Sequence, residues 1–271
     1  MDFLARESSP FSKELWDIID STVVSTARKA LTGRRFLTLY GPLGAGAQTV
    51  PVDSGILSED VQDGIVKTSG RRFLEVPQLF EDFTLFWRDL EAQAASGYPA
   101  DLTAVVAAAQ AAAKKEDKFI FFGNKELGYE GLLTAQGVNK LKKADWKQGE
   151  NAFSDVAQAV SLLVDKGLTG RYALVVSPDI YFQLQRIQPG TGVLESERLE
   201  KLLDGHLYRS TALGGGKAVL LNTEPQYVDL VVGQDLSTAY LELKDLNHNL
   251  RILETLLLRI KRKDAIVVFE D

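Results

Sequence analysis

Trp16, Ile19, Val23, Ala27 and Ala30 recur every three or four positions, which draws one apolar stripe along a helix. Ser12 stands at the N-cap place before that stripe, so a helix is predicted from Lys13 to about Leu31, with Gly33 as its terminator. Arg34 to Tyr40 then reads as a strand with Phe36 partly buried. From Leu43 to Glu75 the helical period disappears. Glycines separate short apolar runs (TVPV, GIL, GIVK), a pattern for a long two-stranded excursion with little core of its own. Such an arm needs a partner surface. The other reading is a surface loop, although about thirty structureless residues are unusual in a compact domain.

Asp101 is placed to cap a helix running to about Asp117, whose centre, AVVAAAQAAAKK, is rich in the best helix former. Small side chains there let other backbones approach, as in any well-packed helix. Ala152 to Lys166 is a second amphipathic helix, with Phe153, Val156, Val160 and Leu163 on one face and Gly167 at its end. Tyr172 to Val176 is a continuous apolar run, the signature of a buried strand. Ser177-Pro178 restarts a helix, Gln188 to Gly192 is a turn, and Leu194 to Leu203 is a charged helix closed by Gly205. Ala218 to Asn222 and Tyr227 to Val232 read as strands.

The last forty or so residues run VVGQDLSTAY (Val231 to Tyr240), a turn around Asp245 to Asn249, LRILETLLLRI, a basic break at Lys261 to Lys263, and AIVVF. An apolar strand that close to the end is an aggregation template unless it is covered, so it is expected inside a sheet, of this subunit or a neighbour. The middle reads as one α/β unit, on which the flanks close as a second.

Composition is ordinary globular, 45% hydrophobic and 25% charged. No apolar run reaches about twenty residues, so no membrane helix is expected. The opening residues include Asp2, Arg6 and Glu7 and lack the apolar core of a secretory leader, which points to the cytoplasm. There are no cysteines, which removes disulfides, thiolate nucleophiles and cysteine metal sites. His206 and His248 are the two imidazoles, and their spacing suggests no metal site. A net charge of −6 argues against nucleic acid. The basic run Lys140 to Lys143 is flanked by Asp145 and Glu150 and reads as a solvated loop. GPLGAGAQT (Gly41 to Thr49) resembles a phosphate loop, but Ala47 and Gln48 stand where the lysine and hydroxyl are needed. No catalytic constellation is readable, and no enzyme activity is expected.

GQDLSTAY followed by ETLLLRI resembles the C-terminal signature of encapsulins, shell proteins with the tailed-phage major-capsid fold. MDFLARESSPFSKELWDIID, GRRF (33–36) with Gly41-Pro42, PQLFEDFTL (77–85), KEDKFIFFGNKELGYEGLL (115–133) and GLTGRYALVVSPDIY (167–181) are similar to other family segments, in the same order. The resemblance is weakest at 43–75 and 140–150. It implies an α+β fold with a peripheral domain (1–42, 76–130 and 223–271), an extended loop (43–75) and an axial domain (131–222). It implies a self-assembling icosahedral shell of about sixty copies or a larger multiple. The shell would enclose a cargo enzyme, a ferritin-like iron-storage protein or a dye-decolourising peroxidase, held by its C-terminal peptide. A phage or prophage capsid protein enclosing DNA is the alternative.

By motif, the cargo groove implied by the resemblance involves Leu31, Arg34, Phe36, Thr38, Asp235, Leu236 and Tyr240. Leu31, Phe36 and Leu236 read equally well as core. The turn Gln188, Pro189, Gly190, Thr191, Gly192 aligns with the loop lining the fivefold pore. Some encapsulins bind flavin beside a tryptophan after FTL. Trp87 stands one position early here, with Arg88 at the aligned place, and no cofactor is expected.

Overall fold

The computed structural model describes residues 3–52, 58–96, 101–188 and 190–270. In chain order, α1 (Lys13–Ala30), α2 (Gly33–Phe36) and β1 (Leu39–Tyr40) precede an arm of β2 (Thr49–Pro51), β3 (Ser58–Gln62), β4 (Ile65–Ser69) and β5 (Phe73–Glu75). Next come β6 (Gln78–Leu85), α3 (Trp87–Ser96), α4 (Thr103–Phe122), β7 (Gly123–Asn124), β8 (Tyr129–Glu130) and β9 (Asn139–Lys142). The chain continues through α5 (Asn151–Asp165), β10 (Tyr172–Val176), α6 (Pro178–Gln183), α7 (Glu195–Leu202), β11 (Leu207–Arg209) and β12 (Ala218–Asn222). It closes with β13 (Val228–Lys244), β14 (Asn247–Ile260) and β15 (Ile266–Glu270).

α1 forms as its pattern dictates. Ser12 Oγ accepts from Leu15 N at 3.2 Å, and Trp16, Ile19, Val23 and Ala27 are buried. The next segment is a helix where a strand was expected. Gly33 does not terminate α1 in a left-handed turn but opens α2. The N–H groups of Thr32 and Gly33 donate to the Asp117 carboxylate at 2.9 to 3.0 Å, which satisfies donors that a helix start leaves open. A Cβ at position 33 would collide with Ile120 Cδ1, so the glycine lets α2 press against α4. Phe36, expected half-buried, is 3% exposed and packs on Phe121 and Tyr208. The strand shrinks to β1.

Among the described residues, two larger sheets organise the chain: β1-β13-β14-β6, and β11-β10-β12-β15-β9. β13 and β14 pair antiparallel from Val228↔Ile260 to Lys244↔Asn247. Their turn places Asp245 and Leu246 at φ 51° and 67°, the double positive φ that a tight hairpin requires. Register shifts between Val232 and Gln234, Gln234 and Ser237, and Tyr240 and Glu242 bend β13, so the expected break after Val232 is a bulge inside one strand. α4 lies on α1, β6 and β14. Asp101 Oδ1 accepts from Thr103 N at 2.9 Å, and the helix runs past Asp117 to Phe122. There Leu132 N and Leu133 N return to the carbonyls of Ile120 and Phe121.

The apolar end is covered. β15 lies between β12, antiparallel, and β9, parallel. The last strand thus joins the sheet of the middle segment rather than the flanking unit to which 223–271 were assigned. The basic run at 140–143 is not a loop: Asn139 to Lys142 form the outer strand, whose charged side chains blunt an open edge. One core, with Phe36, Phe121, Val175, Leu230 and Leu256, joins both sheets. Another fills the space between the five-stranded sheet and α5, α6 and α7 around Trp146, Leu163, Leu174 and Leu199. A third sits under α1 and α4.

The arm forms two short antiparallel ladders, Val50↔Leu74 and Val61↔Val66. Its outer ladder has almost no core: Val61 and Ile65 are 68% and 72% exposed. Residues 53–57 of the 43–75 segment lie outside the described residues.

Candidate functional site

Arg34 is the point where four elements meet. From α2, its Nε donates to both oxygens of Glu116 on α4 at 2.8 and 3.0 Å. Nη1 reaches Asp235 Oδ1 on β13 at 2.6 Å, and Nη2 reaches Glu254 Oε2 on β14 at 2.7 Å. The Glu116 and Glu254 side chains are 0% and 1% exposed, whereas that of Asp235 is 61% exposed. Burial alone would lower the Arg34 pKa. The hydrogen bond and charge of Glu116, with Glu254 and Asp235, more than offset it and hold the guanidinium charged. Asp117 beside Glu116 is pushed up by burial and pulled down by the backbone N–H groups of Gly33 and Thr32.

The β13 bulge decides which way the neighbouring residues face. Asp235 Oδ1 also accepts from Leu236 N at 2.8 Å, and Gln234 Nε2 bonds Ser237 Oγ at 2.8 Å. Asp235 is turned to solvent, while Leu236 rests half-buried on Ala27, Leu31 and Ala113. Four of the groove residues expected from the sequence, Leu31, Arg34, Asp235 and Leu236, are therefore brought together. The other three are not. Phe36 points into the core below. The Thr38 carbonyl accepts from Leu230 N at 3.0 Å and extends the β1–β13 pairing. Tyr240 is 7% exposed, past the bulge, packed on Phe11 and bonded to His248 Nδ1 at 3.2 Å. Phe36 and Tyr240 thus have core places.

The turn after Ile187 is held from within. Ile187 bridges Leu194, Gln188 N donates to Val193 O at 2.9 Å, and Thr191 Oγ1 bonds Gln188 O at 3.1 Å. Gln188 is buried, and its amide nitrogen, in the orientation that satisfies both ends, meets Glu195 Oε2 and Gly149 O. Gly190, Thr191 and Gly192 are exposed, with the glycines at φ 83° and 71°. Pro189 lies outside the described residues.

His206 bonds Tyr208 and His248 bonds Tyr240, so the imidazoles do not meet. Among the described residues, no group of three or more His, Asp or Glu side chains could hold a metal ion. No described helix is long and apolar enough to cross a membrane. The Arg88 guanidinium sits 5.6 Å from the Trp87 ring centre.

Glu116, Asp117 and Glu254 were not singled out by the sequence. The signal was there: Glu254 is a lone acid in the apolar run LRILETLLLRI, and a charge inside a buried strand needs a partner. Removing Arg34 leaves two glutamates buried without their cation. Arg34→Ala should lower subunit stability by about 3–5 kcal/mol, whereas Asp235→Asn should stay within about 1 kcal/mol. Thermal and denaturant unfolding of the two variants checks the difference.

The family described as "Encapsulating protein for peroxidase" matches residues 1–257. A type 1 encapsulin shell protein of Myxococcus xanthus is 41% identical over 278 residues, covering 99% of this chain and 96% of the relative. The structure of a virus-like particle from Pyrococcus furiosus matches at a TM-score of 0.77 and 22% identity, covering 95% of this chain and 100% of that one. The capsid of a myovirus, phage XM1, matches at 0.62 and 13% identity over 89% and 91%. These likenesses show the α+β major-capsid fold of tailed phages. The chain belongs to the encapsulin family and is a structural, non-enzymatic shell protein that assembles into a nanocompartment.

Proposed function

We propose that the shell captures a cargo enzyme through the patch made by Leu31, Arg34, Asp235 and Leu236. The observation that carries this reading is the β13 bulge, which sets a half-buried leucine beside an exposed carboxylate on a fixed guanidinium. An extended peptide needs both features: apolar surface to cover its Leu or Ile side chains, and polar groups to fix its backbone. Leu236 on Ala27 and Leu31 offers the first, and Asp235, with its free lone pairs, offers the second. Because Arg34 is already held by Glu116 and Glu254, little ordering is left to be done on binding. Phe36 and Tyr240 support the patch as core rather than touching cargo.

The cargo is a peroxidase or a ferritin-like protein captured by its C-terminal peptide. The family description, which names peroxidase, favours the first. The setting is the cytoplasm. The four-stranded sheet with α1 and α4 serves as peripheral domain, the five-stranded sheet as axial domain, and residues 43–75 as the extended loop that lies over a neighbouring subunit. Its exposed outer ladder suits that role. The exposed, uncharged Gly190, Thr191 and Gly192 line the fivefold aperture.

A fluorescent protein carrying the cargo's C-terminal peptide should co-purify with particles of about sixty subunits or a larger multiple. Leu236→Asp should abolish that co-purification with the particles intact. Loss of the particles themselves would assign Leu236 to the core, and undiminished capture would place the groove elsewhere. For the aperture, Thr191→Glu puts a ring of carboxylates around the opening, and entry of a small anionic dye should slow about tenfold. An unchanged entry rate would mean that solutes cross by another route.

A further inference from the structure

The Arg34 junction holds more acid than base. Bonded to its one guanidinium are Glu116 from α4, Asp235 from β13 and Glu254 from β14, with Asp117 next to Glu116 on α4. Asp117 is served separately, by the N–H groups of Thr32 and Gly33 and by Ser210 Oγ at 3.4 Å. Asp235 is turned to water. Glu116 and Glu254 remain, both buried, and among the described residues Arg34 is the one cation bonded to either. Arg34 Nη2 covers Glu254 Oε2. The other oxygen, Oε1, is buried with no donor reaching it. A bare carboxylate oxygen in that position is costly.

The two glutamates bond the same guanidinium, which makes their carboxyl groups neighbours. Two ionised carboxylates are both acceptors and repel. A bond between them exists only when one carries a proton. A proton on Glu254 Oε1 removes the bare anionic acceptor and gives the pair a donor. It also closes the charge count, because one guanidinium then faces one net negative charge from the pair.

We propose that Glu116 and Glu254 share a single proton at neutral pH, and that this proton latches β14 to α4 beneath Arg34. The junction is then a pH-sensitive device that loosens on the alkaline side, not the acid side. Burial, then the charge of Glu116, pushes Glu254 well above the usual carboxylate range against the pull of Arg34. Burial likewise raises Glu116, against its hydrogen bond to Arg34. A carboxyl whose folded value exceeds its unfolded one contributes stability in full below the unfolded value. That contribution is lost as pH rises through the folded value. The two titrate as one pair, so the proton belongs to both.

Infrared spectroscopy of assembled, empty shells reads this proton directly through the C=O stretch of a protonated carboxyl. Wild-type shells should show the band at neutral pH and lose it reversibly as the solution turns alkaline. Glu254→Gln keeps the hydrogen bond but cannot ionise, so its shells should lack that component. Their melting temperature should also fall less than that of the wild type as pH rises from the ordinary carboxylate range to the alkaline side. Wild-type shells without the band at neutral pH, or a band undiminished in Glu254→Gln, would overturn the proposal. If Glu254→Gln does not assemble, Glu116→Gln makes the same subtraction. Empty shells contain no cargo, so the outcome is independent of where cargo binds.

Discussion

Arg34 uses separate nitrogens for Glu116, Asp235 and Glu254, and so ties α2, α4 and both strands of the long hairpin at one point. Burying two carboxylates is costly unless a cation and hydrogen bonds meet them, and burying an unpaired one is worse. Few arrangements of this chain satisfy that demand. α2 must be a helix for Arg34 to lie over α4, which Asp117 secures by holding Thr32 and Gly33. β13 must bulge for Asp235 to complete the set. The apolar cores supply the bulk of the stability, and this cluster selects how the elements are set against one another.

The same constraint shapes the outer surface. The bulge that delivers Asp235 to Arg34 also lifts Leu236 out of regular alternation and lays it on Ala27, Leu31 and Ala113. A strand in strict register would alternate its side chains between core and solvent and would not set a leucine and a carboxylate side by side. The proposed cargo patch is thus a by-product of satisfying buried charge. Elsewhere the fold leaves large apolar surface uncovered, above all on the outer ladder of the arm, where Val61, Ile65 and Val66 are more than half exposed. Exposed apolar surface of that size marks an interaction site, which suits the role proposed for the arm.

Elements whose stabilising groups are local were legible in the sequence. Ser12 and the stripe from Trp16 to Ala27 define α1, Tyr172 to Val176 is β10 to the residue, and Ser177-Pro178 opens α6. Elements stabilised from a distance were not. Residues 34–40 read as one strand, and the segment 33–36 is a helix because Asp117, more than eighty positions away, caps it. β9 is a strand because β15 and Glu270 pair with it, which no local pattern of lysines reveals. At the patch, the resemblance named Arg34, Asp235 and Leu236 together. It could not separate them from Phe36 and Tyr240, because burial depends on packing that a motif does not encode. Glu116 and Glu254 escaped notice because each looks ordinary until the other is placed beside it.

The central claim is that uncompensated charge, rather than lost packing, is what the Arg34 junction guards against. Thermal unfolding of Arg34→Met, of Glu116→Gln with Glu254→Gln, and of all three substitutions combined tests it most directly. Arg34→Met alone should be the least stable of the set, and the triple variant, with neither the guanidinium nor its two buried partners charged, should recover most of the loss. A triple variant whose loss equals the sum of the separate losses would contradict it, and would mean that the arginine stabilises by its contacts alone.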